Sequence, residues 1–580
     1  MMDSTQMKHL IDVAAGRIPA DLVISDCMVV DVLNGMIFRG DVAITDGLIA
    51  GVGTYQGVRN IDARGAYLIP GLIDSHVHIE SSLVSPLEFA RLVVPRGTTT
   101  VIADSHEIGN VCGVEGVDYM LEASMDLPLS VFHMLPSCVP STPFEHSGAI
   151  LDAETLKSRI GHPRVLGLGE MMDFVGTIEG SERILAKLMV ARDAGKSIDG
   201  HAPDLSGLAL NAYAASGIHT DHECSTVEEL QARIRNGMYV MLREGSACHD
   251  LRNLLPGVTA ANHRRCVFCT DDRQPFSILN EGHIDNHLRI AVAEGLDALT
   301  AIRMATLNAA ECFHLNDRGV IAPGYRADLV LVDNLKDFQV GKVFCAGRLV
   351  AEDNEYLIEG TQKIPTSVSG RMHVADFSAA KLALRISGSK VRVIDIIEGS
   401  VVTGSGVAQV TSDSNGFFQS DTLQDIVKIA VVERHHGTGK VGLGLLRGYG
   451  IEGGAIATTI AHDSHNIIVC GDNDHDMVTA VEQLVAAGGG ITMVQGGRVL
   501  ASLPLPIAGL MSDLRGGPVE EHLQSMHALA REVLHIHRGL DPFMTLSFMA
   551  LPVIPALKVT DMGLFDVDRF EFIPLEICEM

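Results

Sequence analysis

The sequence predicts an α/β protein: a (β/α)8 barrel of the TIM type, a small composite β-sandwich domain built from the segments before and after the barrel, and a C-terminal domain of α+β or β-rich character. Three observations predict it. Between residues 70 and 315 eight short apolar runs, each closing on polar residues, alternate with helical stretches, which is the pattern and size of a (β/α)8 unit. The segments flanking that region read as hairpins. Beyond about residue 365 the chain continues with β runs and many glycines. The expected boundaries are 1–69 and 316–365 for the two parts of the small β domain, 70–315 for the barrel and 366–580 for the C-terminal domain.

Taken in order, the stretch "DLVISDCMVVDVLNGMIFRGDVAITDGLIAGVG" places Asn-Gly and Asp-Gly pairs between alternating runs, which is hairpin chemistry. Eight strand ends follow: "LIPGLIDSHVH", "TTTVIADSHE", "LSVFHMLPS", "RVLGLGE", "KSIDGHAP", "SGIHTDHE", "MYVMLREGS" and "CVFCTDD". The segment "GVIAPGYRADLVLVDNLKDFQVGKVFCAGRLV" returns to hairpin-like β structure and is expected to complete the small sheet begun at the N-terminus.

At 580 residues the chain exceeds one compact core, so two to four domains are expected. A hydrophobic content of 47% excludes a disordered chain. The apolar runs are short and interrupted, so no membrane span is expected. The start has no basic region followed by an apolar core, so no signal peptide is expected. A formal charge of −28 argues against a general nucleic-acid binder. Eleven cysteines without framework spacing suit a reducing compartment, the cytoplasm. The C-x-x-C formed by Cys266 and Cys269 lies on a predicted strand, where positions i and i+3 face opposite ways, and no second pair follows. It does not read as a zinc or redox motif.

Chemistry in such barrels sits at the C-terminal ends of the strands. Strand one ends on His76 and His78, strand four on Glu170, strand five on His201, strand six on His222, and strand eight on Asp271 and Asp272. Singly, an H-x-H is more often a hydrogen-bonded pair than a ligand set, and a strand-end carboxylate more often a cap. Together they converge on one barrel mouth. Four imidazoles with two carboxylates exceed the needs of one tetrahedral ion and fit two ions bridged by a carboxylate. Nitrogen and oxygen donors leave zinc, manganese and iron open. A water on such ions has a pKa lowered towards neutrality, and Asp271 is placed both to bind metal and to move its proton. The chemistry expected is hydrolytic.

These motifs carry a resemblance. "PGLIDSHVHIESS", the paired sheet segments and "GVIAPGYRADLVLVD" resemble the amidohydrolase superfamily. More narrowly, "ADSHEIGNVCG", "GLGEMMDF", "IDGHAP", "DHECST" and "FCTDDR", with the C-terminal "VVERHHGTGKVGLGLLRGYG", "IATTIAHDSHNIIVCGDND" and "LPLPIAGLMSD", resemble the bacterial adenine deaminase family over nearly the whole chain. The resemblance implies two divalent ions per subunit, manganese or iron with zinc as a further candidate, held by His76, His78, Glu170, His201, His222 and Asp271. Many superfamily members bridge their ions with a carboxylated lysine; here Glu170 stands on strand four. The implied reaction is adenine plus water to hypoxanthine and ammonia, with a metal-bridging hydroxide attacking C6. Asp271 or Asp272 is the expected proton shuttle, assisted by Glu170.

Asp104, His106, Glu107 and Ser137 are candidate purine contacts, with loop capping and hydrogen bonding behind the site as the alternative. His435, His436, His462, Asp463 and His465 form a C-terminal polar cluster that is a candidate lid over the barrel mouth, or else a structural network. "RHHGTGK" lacks phosphate-loop spacing. The expected partners are a small purine base and, in a homo-oligomer, a second copy forming a dimer; no nucleic acid or membrane is expected. Two other functions stay open: a cyclic-amide hydrolase of the dihydropyrimidinase or hydantoinase kind, which would want a lysine on strand four, and a catalytically inactive scaffold. The H-x-E…P-C-x-x-C deaminase signature is absent.

Overall fold

The structure is a computed structural model and describes residues 2–388 and 390–577. Its centre is a barrel of eight parallel strands: β1 Leu72–Val77, β2 Thr98–Asp104, β3 Ser130–Leu135, β4 Val165–Met171, β5 Ser197–Gly200, β6 Thr220–Asp221, β7 Tyr239–Arg243 and β8 Cys266–Cys269. They form two arcs, β1 to β5 and β6 to β8. One seam closes where the amide of Asp271 donates to the His76 carbonyl at 3.0 Å and that of His78 to the Asp271 carbonyl at 3.1 Å. At the other, His219 N–H donates to the Ile198 carbonyl at 3.3 Å.

Strand alternation fills the barrel. Ile73, Ile102, Met134, Met241, Val267 and Cys269 form one buried cluster, closed at its base by Phe313 and Leu315. Cys266 and Phe268 point the other way, into the larger core. The two cysteines of the C-x-x-C therefore lie on opposite faces of β8. Burial pushes the Cys266 thiol up to about 12, which leaves it a poor thiolate at neutral pH.

The surrounding helices follow from apolar spacing. Helix Glu182–Asp193 buries Ile184, Leu188 and Ala191, an i, i+4, i+7 stripe. Helix Val227–Arg235 starts with a capping box of Thr226 and Glu229. It also delivers the fully buried Arg233, whose guanidinium donates to Asp221 at 2.9 Å and to the carbonyls of Leu205 at 2.8 Å and Ala202 at 2.5 Å. That one side chain ties the end of β6 to the loop after β5.

The segments before and after the barrel make one nine-stranded sheet. Asp46 and Gly47 both have positive φ, 50° and 77°, as a two-residue type I′ hairpin requires. The Asn34-Gly35 pair instead sits in a four-residue loop, because Asp31 pairs with Met36. Strand Tyr67–Pro70 joins the two parts, running parallel to Ala20–Asp31 and antiparallel to Leu329–Val332. It continues through Gly71 into β1.

The C-terminal region forms an eight-stranded, largely antiparallel sheet, with helix Asp474–Ala487 laying Met477, Ala480, Val481 and Leu484 on one face. It sits against the barrel mouth. The side-chain amide of Asn466 donates to the His146 carbonyl at 2.8 Å, and the Ser512 amide donates to the Leu83 carbonyl at 2.8 Å. Among the described residues no helix is long and apolar enough to cross a membrane.

Candidate metal centre and the cavity above it

The strand ends bring His76, His78, Glu170, His201, His222 and Asp271 into one buried group. Glu170 lies at its middle. One carboxylate oxygen is 2.7 Å from His201 Nδ1 and 3.1 Å from His222 Nε2; the other is 3.4 Å from His78 Nε2. Asp271 places an oxygen 3.1 Å from His78 Nε2 and 3.7 Å from His76 Nε2. Burial would raise the Glu170 carboxyl, but the imidazoles of His201, His222 and His78 outweigh it and hold it well below the usual carboxylate range. Asp271 behaves alike: burial opposes ionisation, and His78 and Arg243 overcome it.

The histidine rings show what belongs between them. His78 Nδ1 faces the Asp104 carbonyl at 2.9 Å. A carbonyl only accepts, so Nδ1 carries a proton, and on a metal Nε2 of the neutral ring would present its lone pair. His76 Nδ1 donates to the Asp199 carboxylate at 2.7 Å in the same way. The two Nε2 atoms are 3.1 Å apart. Two lone pairs at that distance repel unless a cation lies between them. Outer nitrogens anchored and inner nitrogens converging is the arrangement of metal-ligating histidines. Two donor groups overlap, His76–His78–Glu170 and Glu170–His201–His222, and this set fits divalent metal.

The surroundings hold the ligands in place. Asp104 accepts from the Glu170 amide at 2.8 Å. That approach needs Gly169, where a Cβ would stand 1.9 Å from an Asp104 oxygen. Ser137 Oγ donates to the Glu170 carbonyl at 2.5 Å. Arg243, at the end of β7, reaches Asp271 at 2.9 Å and also pairs with Glu223 and with Asp250. Asp271 itself has φ 59°, a left-handed conformation that is uncommon outside glycine and turns its carboxylate back over the mouth.

Above the group lies a cavity of about 660 Å³. His106, Glu107 and Asp272 line it from the barrel, and His462 and Asp463 from the C-terminal region. Its outer wall is apolar: Val401, Phe548, Leu551, Ile554 and Phe570 face it together with Phe174. His106 Nδ1 is 3.3 Å from Glu170, and its Nε2 is 3.8 Å from Asp463. Burial pushes the Glu107 carboxyl up to about 7, against the pull of His462.

Other candidate residues stand apart from the cavity. Asp104 and Ser137 do not line the cavity; one Asp104 oxygen and Ser137 Oγ bond the main chain of Glu170, and the other Asp104 oxygen lies 3.7 Å from His106 Nδ1. His435 and His436 are not over the mouth either, since their Nε2 atoms bond the carbonyls of Ser464 and Ser147 at 2.7 and 2.8 Å. His465 is fully buried behind Glu107, at 3.6 Å. The "RHHGTGK" amides are already used, because those of His435, His436 and Thr438 all donate to the Glu433 carboxylate. Asp199, Glu223 and Arg243 were missed. Asp199 stands two residues before His201, Glu223 beside His222 and Arg243 at a strand end, and those positions were the available signal.

A barrel mouth that gathers histidines and carboxylates, with the outer nitrogens of His76 and His78 anchored, defines a metal-dependent hydrolase. The comparisons agree: residues 67–350 match the amidohydrolase family and residues 400–571 the adenine deaminase C-terminal domain. Adenine deaminase 2 of Desulfotalea psychrophila is 56% identical over 99% of this chain and 100% of that protein. The adenine deaminase of Nitratidesulfovibrio vulgaris (strain DP4) is 55% identical over 98% of each. Among solved structures, an adenosine deaminase from Xanthomonas campestris with bound zinc aligns at TM-score 0.44 and 17% identity, covering 59% of this chain and 95% of that one. The chain belongs to the adenine deaminase family of amidohydrolases.

Proposed function

We infer that this protein hydrolyses adenine to hypoxanthine and ammonia: C6 loses its amino group and takes the oxygen of water. The observation that carries the reading is the Glu170 carboxylate set among His78, His106, His201 and His222, in a chain related over its full length to adenine deaminases. We propose that His76, His78, Glu170, His201, His222 and Asp271 would hold two divalent ions. Manganese or iron is the proposed ion, and zinc fits the same donors. Such ions supply a Lewis-acidic centre that makes water a nucleophile at neutral pH.

The remaining work falls to side chains. Asp271, gripped by Arg243, stays an anion and suits ligation. Asp272 has the neutral Ser81 as its hydrogen-bond partner and suits proton transfer from water to the departing amine. Glu107, titrating near neutrality, is placed to donate a proton to a ring nitrogen of the purine as charge develops there. His106 is placed to contact the purine edge. His462, Asp463 and the apolar wall cover the mouth and keep bulk water from the intermediate. Among the described residues ten cysteines are free, nine of them buried, which supports a reducing, cytoplasmic setting.

The test is ammonia release from adenine by protein supplied with Mn(II), Fe(II) or Zn(II). Hypoxanthine and ammonia in equal amounts are expected. No ammonia with any metal, together with opening of a dihydropyrimidine ring, would favour the cyclic-amide hydrolase instead.

A further inference from the structure

The short turn that follows His78, Glu80–Ser82, brings one hydroxyl between Glu107 and Asp272, two residues that line the cavity. Ser81 Oγ is 2.6 Å from Glu107 Oε1 and 2.5 Å from Asp272 Oδ1. It thereby links residues carried by three strands, β1, β2 and β8. A hydroxyl suits this position because it donates to one carboxylate while its oxygen still accepts. A cation there would neutralise both acids, and an apolar side chain would hold neither.

The turn is itself fixed. The Glu80 carboxylate accepts from the Ile108 amide at 3.3 Å, and the Leu83 carbonyl accepts from Ser512 of the C-terminal region at 2.8 Å. Beside Ser81 lies a side cavity of about 30 Å³ that Asp272 and His462 also line. Asp272 therefore faces the substrate cavity on one side and this small space on the other.

We propose that Ser81 is a positioning residue, which holds the shuttle Asp272 and the acid Glu107 in register. The proposal rests on the deaminase reading, and on Asp272 and Glu107 both lining the cavity. Loss of the hydroxyl frees both carboxylates to swing, and a misplacement of about 1 Å costs ~10²-fold in rate. The metal ligands keep their own anchors.

The experiment compares the full-length parent, S81A and S81T, each loaded with metal. S81A is expected to keep the parent's metal content and thermal midpoint, to lose ~10²-fold in kcat with KM little changed, and to show an altered pH–rate profile. S81T retains a hydroxyl and is expected to recover most of kcat and the parent profile. The proposal is overturned if S81A turns over adenine at the parent's rate. It is overturned equally if S81A and S81T lose the same amount, or if the S81A loss follows metal loss or a lowered midpoint. A parent that releases no ammonia from adenine would sink the deaminase reading; an active parent with a normal S81A sinks this inference alone.

Discussion

At the scale of single residues, the ligands are legible because each closes an apolar run in a region of β–α alternation. The residues that orient them are not. Asp199 belongs to the interior of the "SIDGH" run and looks like a core intrusion until His76 is seen donating to it at 2.7 Å. Its importance comes from a contact spanning 123 positions, which no local pattern encodes. Asp199→Ala leaves His76 free to rotate and to change tautomer. Its expected effect is a ~10–100-fold loss of metal affinity, the usual scale when a ligand's outer partner is removed. Competition with a chelator checks it, and unchanged affinity would show that His76 is held by packing alone. Asp104 and Ser137 teach the converse: polar residues near strand ends invite a substrate role, yet each places an oxygen on the backbone of Glu170.

At the scale of elements, strand order and the alternation within β8 follow from sequence period, because inward and outward positions differ in what they touch. Strand β6 is the shortest of the eight. It pairs over only Thr220 and Asp221, and what holds it is Arg233 from the following helix. Both Arg233 and Asp221 are fully buried, so removing one leaves the other as an unpaired charge. Arg233→Ala is expected to destabilise the protein by ~3–5 kcal/mol and to loosen the loops that carry His201 and His222. Denaturant unfolding checks the first effect and metal content the second; a change below ~1 kcal/mol would mean that the pair is not holding the seam.

At the scale of the whole molecule, the C-terminal region supplies much of the cavity wall above a barrel-borne centre. The sequence marked this region by its histidines, whereas the wall is mostly apolar, with Val401, Phe548, Leu551 and Ile554 brought together from distant segments. Apolar residues in a β-rich domain carry no mark that separates cavity wall from core. Long-range burial also gives three histidines an acid-sensitive contribution to stability. Burial pushes His133 and His435 down to about 3 and His287 to about 4. Unfolded, each would take a proton near pH 6.5; folded, each refuses it. Below pH 6.5 the unfolded chain binds more protons, so stability falls as pH falls from 6.5 towards 4, by up to ~1.4 kcal/mol per unit for each histidine. The buried carboxyls of Asp74, Glu107 and Glu145, raised to about 7, 7 and 8, act in the opposite sense. The check is therefore the urea midpoint at pH 7 and pH 5 for the parent and for His133→Gln. The variant is expected to lose less stability than the parent on going to pH 5, and an equal loss would contradict it.

The most direct measurement of the central claim is hypoxanthine formation from adenine by the metal-loaded protein and by its Glu170→Gln variant at equal concentration. The account predicts rapid conversion by the parent and none above background by the variant, which keeps the shape of Glu170 but loses the charge the four imidazoles surround. Near-normal conversion by Glu170→Gln, or a parent that leaves adenine untouched, would contradict it.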